Sequence, residues 1–338
     1  MRVFAPGKLI ISGEHAVVYG NPALAMAVNR HAITTIHNSK LPQVLFDSTH
    51  LTSSNELSLT ALHALKDKFK TKYQNFLLGK FSIKEVLAKP FDLAQFALSA
   101  VLDAKKFRLQ HGLNISVHST IPMGAGMGSS AATILSVMKA VIIKLKLQIS
   151  DSDLFKIALE AETMQHGKTS GLDLKISLNG GCHYVEAQQL QERMAPQFPL
   201  LLVNTGRPLS STGECVTTSA KHFTASNLLD DFASVTKMID TALINNDLHA
   251  FCSGIQYNHR LLQTIGVVPS KVSSFIQKIE QLGAAAKICG AGTIAGDAAG
   301  VMLVVGGESA AMVDLCKQFH YEVMPIACEP NGVHSCEG

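Results

Sequence analysis

Pro122-Met123-Gly124-Ala125-Gly126-Met127-Gly128-Ser129-Ser130-Ala131-Ala132 is the stretch that decides how this chain folds. Just upstream, Ile115-Ser116-Val117-His118-Ser119 alternates apolar and polar side chains, the period of a half-buried strand. Downstream, Thr133 to Lys146 is rich in Ala, Leu, Ile, Val, Met and Lys and reads as a helix. A strand that turns through glycines into a helix start exposes backbone amides with no Cβ in the way. The helix start adds unpaired N–H groups and the positive end of its dipole, so the combination suits phosphate. Ser129 and Ser130 supply hydroxyls that can cap the helix, hold an oxygen or ligate a metal. Taken alone, the same residues also describe a plain tight turn. Gly126-x-Gly128-x-x-Ala131 fits a dinucleotide fingerprint as well, with Asp151 downstream. Asp151, however, lies in Ser150-Asp151-Ser152-Asp153, a helix-cap pattern and not a strand end, so a nucleoside triphosphate is the better expectation.

The composition agrees with a folded, soluble chain. Of 338 residues 47% are hydrophobic and only 16% charged, which excludes a disordered chain and allows two domains or one large one. A net charge of +3, with no basic stripe interleaved with aromatics, argues against a nucleic-acid partner. The seven cysteines all lie between Cys182 and Cys336, form no CxxC, and read as buried reduced thiols. The start, Val3-Phe4-Ala5-Pro6-Gly7-Lys8, has no signal-type apolar core, and the apolar run near 131–145 is broken by Lys139 and Lys144. A cytoplasmic protein with no membrane partner is expected. The oligomeric state is not fixed by the sequence, and a homodimer is compatible with it.

Strands and helices alternate along the rest of the chain, which places it in the α+β or α/β class. Met1 to Phe4 reads as a short strand halted at Pro6-Gly7, and 23–28, 32–36 and 43–46 read as further strands. Helices are expected over 57–73 and 91–109 and from Asp151 to about Ala161. Gln188 to Gln197 is polar and ends near Pro196, which sets the boundary between a domain of residues 1–195 and one of 196–338. Beyond it, strands are expected at 200–203, 301–305 and 321–325, and helices near 226–246, 247–264, 270–282 and 309–319. Lys287-Ile288-Cys289-Gly290-Ala291-Gly292 opens a second glycine-rich segment that runs to Gly300.

Several polar residues stand out against this background. Lys8 follows the first strand, and Glu14-His15 lies between two apolar runs, each closed by glycine. Glu162 and Asp173 flank a glycine-rich turn, although on their own two such acids also describe a solvated helix end. Gly167-Lys168-Thr169 invites a Walker A reading, which fails because Glu162 stands where that motif needs its first glycine. His118, His166 and His183 read as ordinary polar side chains, since no histidine forms a ligand-spaced cluster with cysteine. Together, Lys8 could neutralise phosphate, the loop 124–130 could cradle it, and Ser130 with Glu162 could hold Mg²⁺. Asp173 would then orient an attacking hydroxyl, which completes the parts that phosphoryl transfer requires.

Ala5-Pro6-Gly7-Lys8 through Gly13-Glu14-His15-Ala16-Val17-Val18-Tyr19-Gly20 resembles the first motif of the mevalonate kinases, within the GHMP kinase superfamily. Pro122 to Ala132 resembles that superfamily's phosphate-binding motif, and Lys287 to Gly292 the start of its third motif. Glu162, His166-Gly167, Ser170-Gly171-x-Asp173 and Gly180-Gly181 resemble the acid pair of the family, and Asn204-Thr205, Pro208, Thr212 and Asn258 add weaker matches. The resemblance implies an α+β, two-domain GHMP-kinase-like fold with the active site in the interdomain cleft. It implies ATP as co-substrate, wrapped by Gly124, Ala125, Gly126, Met127, Gly128, Ser129 and Ser130, with Ser119 and Lys8 near the nucleotide. It implies Mg²⁺ on Ser130 and Glu162, Asp173 and Lys8 as catalytic residues, and Glu14, His15 and Thr212 at the acceptor. The implied reaction is phosphorylation of mevalonate to 5-phosphomevalonate on the route to isoprenoids.

The chain departs from the family pattern at Thr169, where proline is usual, at Leu174, where asparagine is common, and in a longer third motif carrying Asp297. Lys168 is a candidate for reaching an acidic group on the acceptor. A kinase for another small acceptor such as phosphomevalonate is one alternative, against which Glu14-His15 speaks. A non-catalytic small-molecule-binding member of the fold is the other, against which the presence of Lys8, Glu162 and Asp173 speaks.

Overall fold

In the computed structural model, which describes residues 1–48, 54–167, 169–187, 189–224, 227–307 and 310–336, the first strand does not stop at Pro6-Gly7. β1 (Arg2–Ser12) runs through it, pairing antiparallel with β2 (Ala23–Ser39). The pairing jumps from Pro6–His31 to Gly7–Val28, so Asn29 and Arg30 bulge out of β2. Proline has no N–H for a ladder and is tolerated at such a break. The two strands expected at 23–28 and 32–36 are therefore one bent strand, and Lys8 sits inside a strand and not after one.

β3 (Gln43–Asp47), β4 (Asn55–Ser58), α1 (Leu59–Leu77), α2 (Asp92–Ala104), β5 (Gly112–Ser119), α3 (Ser129–Lys144), α4 (Asp151–His166), α5 (Leu172–Asn179), β6 (Cys182–Glu186) and β7 (Gln189–Arg193) follow. β1 and β2 are flanked by β5, β3 and β4, with β6 pairing the start of β2 and β7 pairing β6. Among the described residues, only β3 and β5 run parallel within this sheet. Both faces are covered where the second half of β1 pairs with residues 23–28 of β2, which explains the nearly unbroken apolar runs Leu9-Ile10-Ile11 and Ala23 to Val28; beyond the bulge β2 alternates buried and partly exposed residues. Leu9, Ile11, Leu24 and Met26 face the main core with Ile134, Leu135 and Met138 of α3. Ile10, Ala23, Ala25 and Ala27 face the other way, onto Leu172 and Ile176 of α5. Lys8, which pairs with Ala27, shares that second face, so the helix that buries it also brings Asp173 to Lys8.

The remaining elements are β8 (Leu200–Asn204), α6 (Thr212–Thr224), α7 (Leu228–Ile244), α8 (Leu248–Thr264), α9 (Ser270–Gln281), β9 (Ala285–Ile288), β10 (Val301–Val305), α10 (Ala310–Phe319) and β11 (Glu322–Ile326). They form a second, antiparallel sheet in the order β11-β8-β10-β9. β7 ends at Arg193 and β8 begins at Leu200. The closing strand β12 (His334–Cys336), which lies in the second half of the sequence, returns to pair with β1 in the first sheet. All seven cysteines are free, but Cys336 is exposed and Cys252 and Cys328 are half-buried, not buried as expected. Among the described residues no helix is long and apolar enough to cross a membrane.

Candidate active site

The phosphate-suited loop is held by two pegs. Ala125 and Met127 are buried, while Gly124, Gly126 and Gly128 between and beside them have φ of 68°, 87° and 68°. Alternation of left-handed with ordinary residues curls a backbone so that successive N–H groups point into one concavity. The carbonyls are turned the other way. The Ala125 carbonyl accepts from Val301 N at 3.1 Å and the Met127 carbonyl from Lys8 N at 2.9 Å. The Gly126 carbonyl accepts from Lys8 Nζ at 3.1 Å. Among the described residues, no protein group accepts from the backbone N–H groups of Gly124 to Ala131. The loop thus leads into α3 with its donors free for an anion.

Lys8 and Asp173 meet beneath the end of this loop. Lys8 Nζ is 3.2 Å from Asp173 Oδ1; the lysine is buried, whereas the aspartate side chain keeps 30% exposure and faces the open side. A Cβ on Gly128 would stand 3.0 Å from Lys8 Cγ and 3.3 Å from Asp173 Oδ2, so a side chain there would displace both groups. Asp173 lies in the first turn of α5, where the helix dipole favours a negative charge.

Beside them, the Ser130 hydroxyl donates to Glu162 Oε1 at 3.1 Å. Burial, with the Asp173 charge second, pushes the Glu162 carboxyl up to about 8. Its Oε2 has no protein partner among the described residues. α4 runs a full turn past the expected end near Ala161, to His166, whose Nε2 is 3.1 Å from Ser130 Oγ and 3.5 Å from Glu162 Oε1. His166 therefore belongs to the site and is not an ordinary surface histidine. Its spacing of one helical turn from Glu162 is the signal that a longer helix would have given. Burial holds its pKa below the usual histidine value.

The other sequence-derived residues are placed as follows. His15 Nε2 donates to the Ala291 carbonyl at 3.0 Å, which leaves Nδ1 to accept from Ser219 Oγ at 3.2 Å. Burial holds its pKa down at about 4, so the ring is neutral. Glu14 is enclosed and its carboxylate meets the Lys287 ammonium. Burial pushes the Glu14 carboxyl up while Lys287 pulls it the other way. Ser119 is half-buried at the end of β5, its hydroxyl accepting from Ile121 N at 3.1 Å. Thr212 is exposed at the start of α6 and makes none of these contacts. Lys168 lies outside the described residues. The second glycine-rich segment backs the phosphate loop directly, since a Cβ on Gly126 would be 2.8 Å from the Cys289 carbonyl and one on Gly290 3.2 Å from Gly126 Cα.

Lys8 of β1, Ser130 of α3, Glu162 of α4 and Asp173 of α5 therefore gather at one site, whose loop is backed by the segment that follows β9 of the second sheet. Residues 92–181, which carry three of these four, match the model of the GHMP kinases N terminal domain. The crystal structure of the Methanococcus jannaschii mevalonate kinase matches with a TM-score of 0.81 over 97% of this chain and 98% of its own, at 23% identity. This chain has the GHMP kinase fold. A Lactococcus lactis galactokinase complexed with galactose matches with a TM-score of 0.76 over 99% of this chain and 95% of its own, at 14% identity. A GHMP kinase fold alone thus does not select an acceptor. In sequence, a mevalonate kinase of Pyrococcus abyssi is 28% identical over 299 residues, covering 85% of this chain and 84% of the relative.

Proposed function

We propose that this GHMP-fold chain transfers the γ-phosphoryl group of ATP to the 5-hydroxyl of mevalonate. The observation that carries the reading is the Lys8–Asp173 pair at 3.2 Å, set under the last glycine of a loop whose amide donors are unengaged. The similarity to mevalonate kinases over most of the chain supplies the acceptor. In this reading Asp173 aligns the hydroxyl and takes its proton as the oxygen attacks phosphorus and the bond to ADP breaks. Lys8 sits where it can neutralise charge on the transferring group, and the loop amides hold the phosphates in line. His15, in a neutral and fixed tautomer, lines the acceptor side.

Among the described residues no three His, Cys, Asp or Glu side chains cluster as a metal cage. The chemistry of Ser130 and Glu162 nevertheless fits Mg²⁺, because the buried Glu162 Oε2 lacks a partner and both donors are oxygens. When bound with the nucleotide, Mg²⁺ supplies charge neutralisation across the phosphate oxygens. The free thiols support a cytoplasmic setting, and the gap between β7 and β8 supports a domain boundary near residue 195, past which, of the described strands, only the closing strand β12 rejoins the first sheet. A panel of mevalonate, phosphomevalonate, galactose and homoserine with Mg-ATP, read by ADP release, tests the acceptor. Turnover of mevalonate is expected. Asp173→Asn should lower kcat by about 10³-fold or more while ATP still binds, and near-normal turnover would remove the assigned role.

A further inference from the structure

Arg207 is a basic residue at the cleft that the reaction as described does not use. It follows β8 in Asn204-Thr205-Gly206-Arg207-Pro208, a turn fastened to the phosphate loop through an unbroken run of backbone contacts. The Asn204 side chain accepts from Gly206 N at 3.0 Å, and Gly206 has φ of 105°. Thr205 is buried, its amide and its hydroxyl both donating to the Gly300 carbonyl, at 2.9 and 2.8 Å. Gly300 N donates back to the Gly206 carbonyl at 3.1 Å, and the next residue, Val301, donates to the Ala125 carbonyl of the phosphate loop. Pro208 further restricts Arg207 to extended backbone. At the end of this chain of contacts the Arg207 side chain lies flat on the first glycine of the loop. A Cβ on Gly124 would be 3.3 Å from Nε, 3.6 Å from Cγ and 3.7 Å from Cδ of Arg207. The guanidinium is exposed and has no hydrogen-bond or ion-pair partner among the described residues.

An arginine with no protein partner among the described residues, carried by a fastened turn beside a cradle of free amides, suits recognition of a phosphate, because its planar fork donates two parallel hydrogen bonds. Its position along the loop assigns the phosphate. Lys8, Asp173 and Ser130 mark the point of transfer at the Gly128 end. The Gly124 end therefore receives the part of the triphosphate that stays with the nucleotide. The geometry points to Arg207 as a clamp on the diphosphate of ADP, reaching across from the second sheet. In a loose transition state negative charge grows on that leaving group, so the clamp assists transfer as well as binding.

This inference rests on the ATP-dependent reading above, and the test separates the two. ADP binding is measured by calorimetry, in the presence of Mg²⁺, for the wild-type chain, Arg207→Ala and Arg207→Lys, alongside kinetics with ATP and mevalonate. A charge-assisted contact of this kind predicts that Arg207→Ala weakens ADP by about tenfold or more, with AMP weakened far less. The KM for ATP should rise with it, the KM for mevalonate should stay within about twofold, and Arg207→Lys should recover part of the loss by its charge alone. Unchanged ADP binding in Arg207→Ala, with mevalonate still phosphorylated, overturns the clamp and leaves the kinase reading standing. A rise confined to the KM for mevalonate overturns it too, and assigns the arginine to the acceptor. Wild-type protein that binds ADP without using mevalonate sinks the acceptor assignment, and the clamp is then judged on ADP binding alone. Wild-type protein that binds no ADP sinks both.

Discussion

His15 holds a backbone conformation, φ 60° and ψ −51°, that residues with a Cβ rarely adopt. Such strain persists where surrounding structure over-determines it, and it gathers at functional sites. Here the ring bonds to Ala291 and Ser219 supply that constraint. The same enclosure makes the histidine a liability in acid. Burial holds His15 down at about 4 and His259, on α8, down at about 3. An unfolded chain takes up these protons near pH 6.5, before the folded one does. Stability is therefore fully present above that value and falls as pH drops toward 3, by up to a few kcal/mol for each ring. His259 offers the cleaner test, because it is 1% exposed and neither ring nitrogen has a protein partner among the described residues. His259→Leu should shift the acid-unfolding midpoint, followed by circular dichroism, to lower pH. An unchanged midpoint would mean that this ring is solvated in the fold.

At the scale of elements, the loop between β5 and α3 and the helix α5 differ in how openly the sequence declares them. Three glycines between a period-2 strand and a helix announce the loop, and its function follows from backbone geometry alone. Gly128→Ala tests that geometry. The added methyl meets Lys8 Cγ at 3.0 Å and must adopt φ of 68°. Displacing Lys8 and Asp173 by even a fraction of an ångström from alignment predicts a loss in kcat of about 10²-fold, with far-UV circular dichroism preserved. Activity within threefold of wild type would show that the loop yields without disturbing the pair. α5 was illegible for a physical reason. Leu172, Leu174, Ile176 and Leu178 alternate with polar residues, which is no helical period. The helix tolerates this because it is packed on two sides, with Leu172 and Ile176 on the β1–β2 face and Leu174 in the main core. The neighbouring glycines mark Asp173 in the sequence, while no apolar period marks the helix that aims it. His166 presents the converse case: the polar run from Glu162 to His166 hides the last turn of α4, which carries the histidine to Ser130 and Glu162.

The whole molecule is joined through a contact that no sequence spacing could reveal. Glu14, within the first motif, and Lys287, on β9 of the second sheet, form an ion pair with side-chain exposures of 1% and 0%. Lys287 Nζ also lies 3.4 Å from the Ile10 carbonyl of β1, and Ser12 and Thr236 hydroxyls meet at 2.8 Å beside the same seam. Removing one partner of an enclosed pair strands a charge in low dielectric, whereas removing both leaves none to strand. Lys287→Met should accordingly lower unfolding free energy by about 3–5 kcal/mol, and the double change Glu14→Gln with Lys287→Met should recover most of that loss. Because His15 adjoins Glu14 and Ala291 follows closely on β9, the single change should also raise the KM for the acceptor more than that for ATP. Urea denaturation of the wild type, Glu14→Gln, Lys287→Met and the double variant, fitted as a double-mutant cycle, decides the matter. If each single change cost under about 1 kcal/mol, as solvated surface pairs do, the seam between the sheets would have to be held by its apolar contacts, and Glu14 would be free to serve a ligand.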